Sequence, residues 1–200
     1  MKVEDLVTRV RSALGGRREV AAPAPPVDAA WRTFSDAAAD GGLVERFVAA
    51  ARAVGAEVER CVADGLGDAV ARVLSEAGAT RVGYGADCGL ARAGTGSDGD
   101  PFELHAGVTG VAAAIARSGT IALHSGPGRP GMLSTAPPLH VAVVRAEQIV
   151  GSLADYLATP VDAEPSARVL VTGPSKTADI EGILITGVHG PGRLVIIVVG

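Results

Sequence analysis

Residues 172–191, Thr-Gly-Pro-Ser-Lys-Thr-Ala-Asp-Ile-Glu-Gly-Ile-Leu-Ile-Thr-Gly-Val-His-Gly-Pro, hold the densest set of groups able to bind a ligand. Only two lysines accompany sixteen arginines, Lys2 at the start and Lys176 inside this stretch. The turn Gly173-Pro-Ser-Lys-Thr177 follows an apolar run, and its residues predict a helix opening at Lys176. A helix N-terminus carries unpaired N–H groups and a partial positive charge. The Lys176 ammonium and the Ser175 and Thr177 hydroxyls would add donors there, making a seat for a carboxylate or phosphate. Asp179 stands three residues from Lys176 and can pair with it on the helix surface. Glu181 falls well round the helix, so no tight triad is expected. The spacing G-x-x-x-x-G-K-[ST] of a P-loop is absent. The plainer alternative is an ordinary helix cap with a local ion pair.

Two further loops follow apolar runs, and ligands in open α/β sheets bind at the carboxyl ends of strands. In His124-Ser-Gly-Pro-Gly-Arg-Pro-Gly131, the glycines Gly126, Gly128 and Gly131 let the backbone turn sharply beside Ser125. Successive N–H groups in such a turn can form an anion nest, and Arg129 adds a planar donor fork. A Gly/Pro turn with a solvated arginine is the alternative. In Gly187-Val-His-Gly-Pro-Gly192, His189 sits where its ring reaches either a ligand or the backbone. His105, His124 and His140 have no metal-ligand spacing. His124 adjoins Ser125 without a nearby acid to complete a triad, and His140, between apolar residues, reads as a satisfied core or edge side chain. Asp98, Asp100 and Glu103 read as a solvated loop face. Nothing near Cys88 would lower its pKa.

Composition narrows the classes. Two hundred residues suit one domain with a real core. With 48% hydrophobic residues but 3% aromatics, that core must be Ala, Val, Leu and Ile. A net charge of −4 gives no footprint for nucleic acid, and scarce aromatics argue against base stacking. Cys61 and Cys88 are the only cysteines, too few for an iron–sulfur cluster or a Cys-rich zinc site from this chain alone. No apolar run approaches the roughly 20 residues of a membrane helix, and the start does not read as a signal peptide. The expected location is the cytoplasm, with reduced thiols.

The elements that must carry these loops alternate. Residues 1–14 read as a helix with Val3, Leu6, Val7, Val10 and Leu14 on one face. A Pro-rich linker over 21–27 follows, so residues 1–28 are expected to precede a main domain over 29–200. The pattern predicts helices over 40–54, 66–77, 109–117, 147–157 and 176–185. It predicts strands over 57–62, 81–84, 103–106, 119–124, 139–144, 168–172 and 194–199. Such alternation indicates βαβ units and a mostly parallel sheet flanked by helices, an α/β fold. Leu194-Val-Ile-Ile-Val-Val199 has no polar face, as a strand covered on both sides requires. Residues 86–101, rich in Gly and Asp, read as a mobile loop.

Several of these segments also carry a resemblance. Gly107-Val-Thr-Gly110, Ala114-Ile-Ala116, Gly119-Thr120, Ser125-Gly-Pro-Gly-Arg-Pro130, Pro137-Pro-Leu-His140, Thr172 through Glu181 and Gly187-Val-His-Gly-Pro191 fall in the order and spacing of one family. Over about residues 30–200 the chain resembles the LUD-domain family, in particular its lactate utilization protein C branch. The resemblance implies a fold similar to the NagB/RpiA/CoA-transferase-like group. It also implies a non-redox partner of two iron–sulfur proteins that together oxidise L-lactate to pyruvate, with no cofactor in this chain. Independent catalysis of CoA-transferase or sugar-phosphate isomerase type, or metabolite binding without turnover, are the alternatives. Arg117-Ser118 stands where the family usually has Glu-Thr, which puts an acid–base role there in doubt. Lys176 stands where the family often has Arg, keeping the charge but losing the bidentate fork.

Overall fold

The computed structural model describes residues 42–91, 100–126, 131–160, 165–178 and 184–200, together with Asp5, Thr8, Arg9 and Ser12. Helix α1 spans Leu43–Ala53 and leads into β1, Glu57–Cys61; α2, Leu66–Glu76, precedes β2, Val82–Tyr84. Then come β3, Ala106–Gly110, β4, Ala113–Ile115, β5, Thr120–Ser125, β6, Leu139–Arg145, and β7, Ile149–Val150. A short α3, Leu153–Ala158, is followed by β8, Ala167–Val171, β9, Lys176–Ala178, β10, Leu184–Thr186, and β11, Arg193–Val199.

Five strands form the central sheet in the order β1, β11, β6, β3, β2, and every neighbouring pair is parallel. Successive side chains of a strand point to opposite faces, and here both faces are covered. Val195 and Ile197 of β11, with Val141 and Val143 of β6, pack against Leu66, Val70 and Val73 of α2. The alternate residues Leu194, Ile196, Val198, Ala142 and Val144 pack against Phe47, Val48 and Ala51 of α1. That double burial explains the wholly apolar β11. It also makes this the mostly parallel, helix-flanked α/β architecture expected of the alternating pattern.

A second sheet, β7, β4, β5, β8, shares the α1 side. Its inner residues Ala114, Ile121 and Leu123 join the α1 core, and its outer residues Ala113, Ile115 and Ala122 meet Tyr156 of α3. β5 runs antiparallel to both β4 and β8, with Ser125 opposite Ala167 and Ile121 opposite Val171. This sheet corrects the sequence reading. The helix expected over 109–117 is instead the end of β3 and β4, because an Ala- and Val-rich run buried on both faces has no period to separate helix from strand. The helix over 147–157 is a 3-10 turn at Ala146–Gln148, then β7, and only then α3. Ser152 caps α3, accepting from Asp155 N–H at 3.3 Å while the Asp155 carboxylate accepts from Ser152 N–H at 2.8 Å. The strand expected at 103–106 is a 3-10 turn at Pro101–Glu103, and β3 begins at Ala106. Most consequentially, no helix opens at Lys176: β9 and β10 pair antiparallel as a hairpin, with Lys176 opposite Thr186.

Asp5, Thr8, Arg9 and Ser12 are helical and exposed, which suits the polar side of the expected 1–14 helix. Its apolar side and the linker lie outside the described residues, as do residues 92–99 of the Gly/Asp-rich loop.

Candidate functional site

The carboxyl ends of β2 and β3 meet the end of β5 and a 3-10 turn at Gly131–Ser134. Between them lies a cavity of about 20 Å3, lined by Gly85, Asp87, Thr109, Gly110, Leu123, His124, Ser125, Gly131, Leu133 and Ser134. Two glycines of the Gly107-Val-Thr-Gly110 motif close it by permitting contact between backbones. A Cβ on Gly107 would overlap the Leu133 carbonyl, and one on Gly110 would overlap the Asp87 carbonyl. With hydrogen there instead, the Gly131–Ser134 turn and the 85–88 loop lie directly on β3. The loop is fastened by Gly85 N–H donating to the Val108 carbonyl at 2.8 Å and Gly110 N–H donating to Asp87 Oδ1 at 3.1 Å.

Its polar groups come from four elements. Thr109 Oγ1 lies 2.8 Å from Nε2 of His140, which the parallel register sets opposite Gly107 on β6. His140 is 1% exposed, and among the described residues nothing pairs with its Nδ1. Burial pushes this ring down to about 4, so it is neutral at physiological pH. The expectation of a core histidine holds, but only one of its nitrogens is satisfied. His124 Nε2 lies 2.7 Å from the Tyr156 hydroxyl. Ser125 Oγ sits where a Gly131 side chain would have to go, 2.7 Å from the ideal Cβ position. The Ser134 hydroxyl donates to the Gly131 carbonyl at 2.8 Å.

The Lys176 turn has a different setting from the one its residues suggest. Lys176 Nζ donates to the Val54 carbonyl at 2.9 Å, at the C-terminus of α1. Unpaired carbonyls and the negative end of the helix dipole favour a cation there. Gly173, at φ +76°, packs against the same Val54 carbonyl, which leaves no room for a side chain. Ser118, Thr120 and Thr172 form a hydroxyl chain beside it, with spacings of 2.7 and 2.8 Å. Ser175 N–H donates to the Pro191 carbonyl at 2.9 Å, and Gly187 N–H donates to the Ser175 carbonyl at 3.0 Å. The Lys176 turn and the 187–192 loop are thus bonded together, with His189 exposed on the latter. A Cβ on Gly190 would touch Ser175 and, at 3.8 Å, the Thr135 carbonyl just past the Gly131–Ser134 turn.

Of the residues singled out from sequence, the structure brings Ser125 to the cavity. It groups Gly173, Ser175 and Lys176 with the His189 loop at the α1 terminus. Thr177 pairs with Ile185 in the hairpin, and Gly126 borders open space. Gly128, Arg129, Asp179 and Glu181 lie outside the described residues. Arg117 is exposed on the β4–β5 turn. Asp87, Thr109 and Tyr156 went unassigned in sequence, and His140 was read there only as a core or edge side chain. Asp87 had one legible signal, a Gly-Ala-Asp-Cys-Gly loop directly after a strand. Burial pushes the Cys61 and Cys88 thiols up, away from thiolate character. Among the described residues no three His, Cys, Asp or Glu side chains converge as metal ligands, and no helix is long and apolar enough to cross a membrane.

Comparison with known proteins adds identity to this geometry. Residues 100–199 match the LUD domain family. A lactate utilization protein C from Deinococcus radiodurans is 34% identical over 98% of this chain and 94% of its own length. One from a Geobacillus species is 35% identical over 48% of this chain, a match spanning 43% of that relative. A crystal structure of a DUF162 family protein from Deinococcus radiodurans is similar with a TM-score of 0.54 and 26% identity, covering 79% of this chain and 96% of that one.

Proposed function

The chain belongs to the LUD-domain family, and on that premise we propose that it is a component of a lactate-utilization system oxidising L-lactate to pyruvate. Its role there is that of a non-redox subunit acting with iron–sulfur partner proteins and binding a small anionic ligand, a carboxylate or phosphate. The observation that carries this reading is the 34% identity to a lactate utilization protein C, which extends over nearly the whole of both chains. For the ligand, the reading draws on Ser125, which lines the cavity, and on Gly126, Gly128 and Arg129, which follow it in sequence. Lys176 uses one of its three N–H donors on the Val54 carbonyl and retains two, with Ser175 and Thr177 flanking it in sequence and His189 on the loop bonded to Ser175. Affinity purification of the tagged chain from cells grown on L-lactate tests the partnership. Iron–sulfur proteins should co-purify in stoichiometric amount, and their absence counts against it.

One observation favours a second reading, an independent enzyme of CoA-transferase or isomerase type. Such chemistry needs a carboxylate nucleophile or base, and Asp87 supplies a carboxylate to the cavity. Turnover of an acyl-CoA or sugar phosphate by the purified chain, abolished in Asp87→Asn, would establish it. Saturable binding of these compounds with no turnover would leave a binding subunit.

A further inference from the structure

Among the polar groups that line the cavity, Asp87 and Thr109 offer functions of opposite kind, an acceptor and a donor. The cavity volume of about 20 Å3 accommodates about one oxygen-sized group. The Asp87 carboxylate is an acceptor only; Gly110 N–H occupies one of its several lone-pair positions. Whether Thr109 is a donor depends on the tautomer of His140. With the proton on Nδ1, a donor would be buried with no partner among the described residues, and Thr109 would spend its own proton on Nε2. With the proton on Nε2, the orphan is a lone pair, and orphaned buried donors are the rarer of the two. Nε2–H then donates to Thr109 Oγ1 across the 2.8 Å contact. Nε2 is the only partner of that hydroxyl among the described residues, so the Thr109 proton is left for the cavity that Thr109 lines.

A group that meets both that donor and that acceptor must itself accept and donate. We infer that this cavity receives a hydroxyl group of the ligand, which accepts from Thr109 and donates to Asp87, with His140 as the positioning residue that turns the Thr109 proton outward. The site therefore selects a small hydroxy acid over the corresponding keto acid, whose carbonyl cannot donate to Asp87. This assignment rests on the ligand-binding part of the function proposed above and deepens it.

Two measurements on the purified full chain test it. Nitrogen–proton correlation NMR of the histidine side chains, assigned with His140→Gln, should place the His140 proton on Nε2 from about pH 6 to 8. A proton on Nδ1, or an imidazolium, overturns the inference. Calorimetric titration with L-lactate and with pyruvate should show L-lactate binding about tenfold more tightly, the effect of one hydrogen bond to a charged group. That preference should vanish in Asp87→Asn, while Thr109→Val should weaken both acids alike and Thr109→Ser should leave both unchanged. Equal affinity for the two acids in the unmodified chain, no binding of L-lactate, or an unchanged preference in Asp87→Asn each overturns it. Should Thr109→Val fail to fold, Asp87→Asn and the tautomer still decide. Partner co-purification can fail without altering either readout, so the two proposals fall separately.

Discussion

The most quantitative consequence of the fold concerns His140 and acid. The folded chain holds this ring neutral, with a pKa of about 4 in place of 6.5, and burial alone is the cause. The unfolded chain takes up the proton first as pH falls, so stability is fully present above about pH 6.5. It is lost between about 6.5 and 4, and no more is lost below that. At about 1.4 kcal/mol per pH unit, that interval amounts to about 3 kcal/mol. Glu45 and Glu57, held low by their hydrogen bonds to Arg60 and Arg193, also lose stability in acid, which is why a paired comparison is needed. Urea unfolding of the unmodified chain and of His140→Leu, followed at pH values from 7 to 4, isolates the histidine. Every other ionisable group is common to both, and absolute stabilities need not match. The unmodified chain should lose about 3 kcal/mol more than the variant across the interval. Parallel curves would contradict a buried neutral His140 and, with it, the fixed Thr109 contact.

Four substitutions probe the remaining structure. Gly107→Ala drives a Cβ into the Leu133 carbonyl and should cost at least about 3 kcal/mol in thermal or urea unfolding. Gly126→Ala, which meets nothing within 4 Å, should change stability by less than about 0.5 kcal/mol in the same assay. Lys176→Ala removes the bond to Val54 and should cost about 1 kcal/mol; phosphate titration of the same variant then reads its remaining donors, and affinity should fall. Ser152→Ala removes the α3 cap and should cost about 1 kcal/mol, seen as a lower melting temperature.

The strands of the central sheet were legible where burial leaves an unmistakable pattern. Leu194–Val199 is apolar throughout because both faces are covered, and α2 shows Leu66, Val70, Val73 and Leu74 at helical spacing. Residues 109–117 misled because small apolar residues buried on every side satisfy either period. The β9–β10 hairpin misled for the opposite reason. Leu184, Ile185 and Thr186 are exposed, so no buried face imposed a period of two, and a Gly-Pro-Ser-Lys turn imitated a helix start. At the site, sequence marked Ser125 and the Lys176 turn. It could not mark the Thr109–His140 pair, whose members stand 31 positions apart and meet only through the β3–β6 register. Nor could it tell that Gly107 and Gly110 serve backbone contact, since that role depends on what lies across from them.

Growth on L-lactate is the most direct test of the role proposed for this chain. A strain lacking the gene, supplied with L-lactate as sole carbon source, should fail to grow, should grow normally on pyruvate, and should recover when the chain is re-expressed. Undiminished growth of the deletion strain on L-lactate would contradict that role.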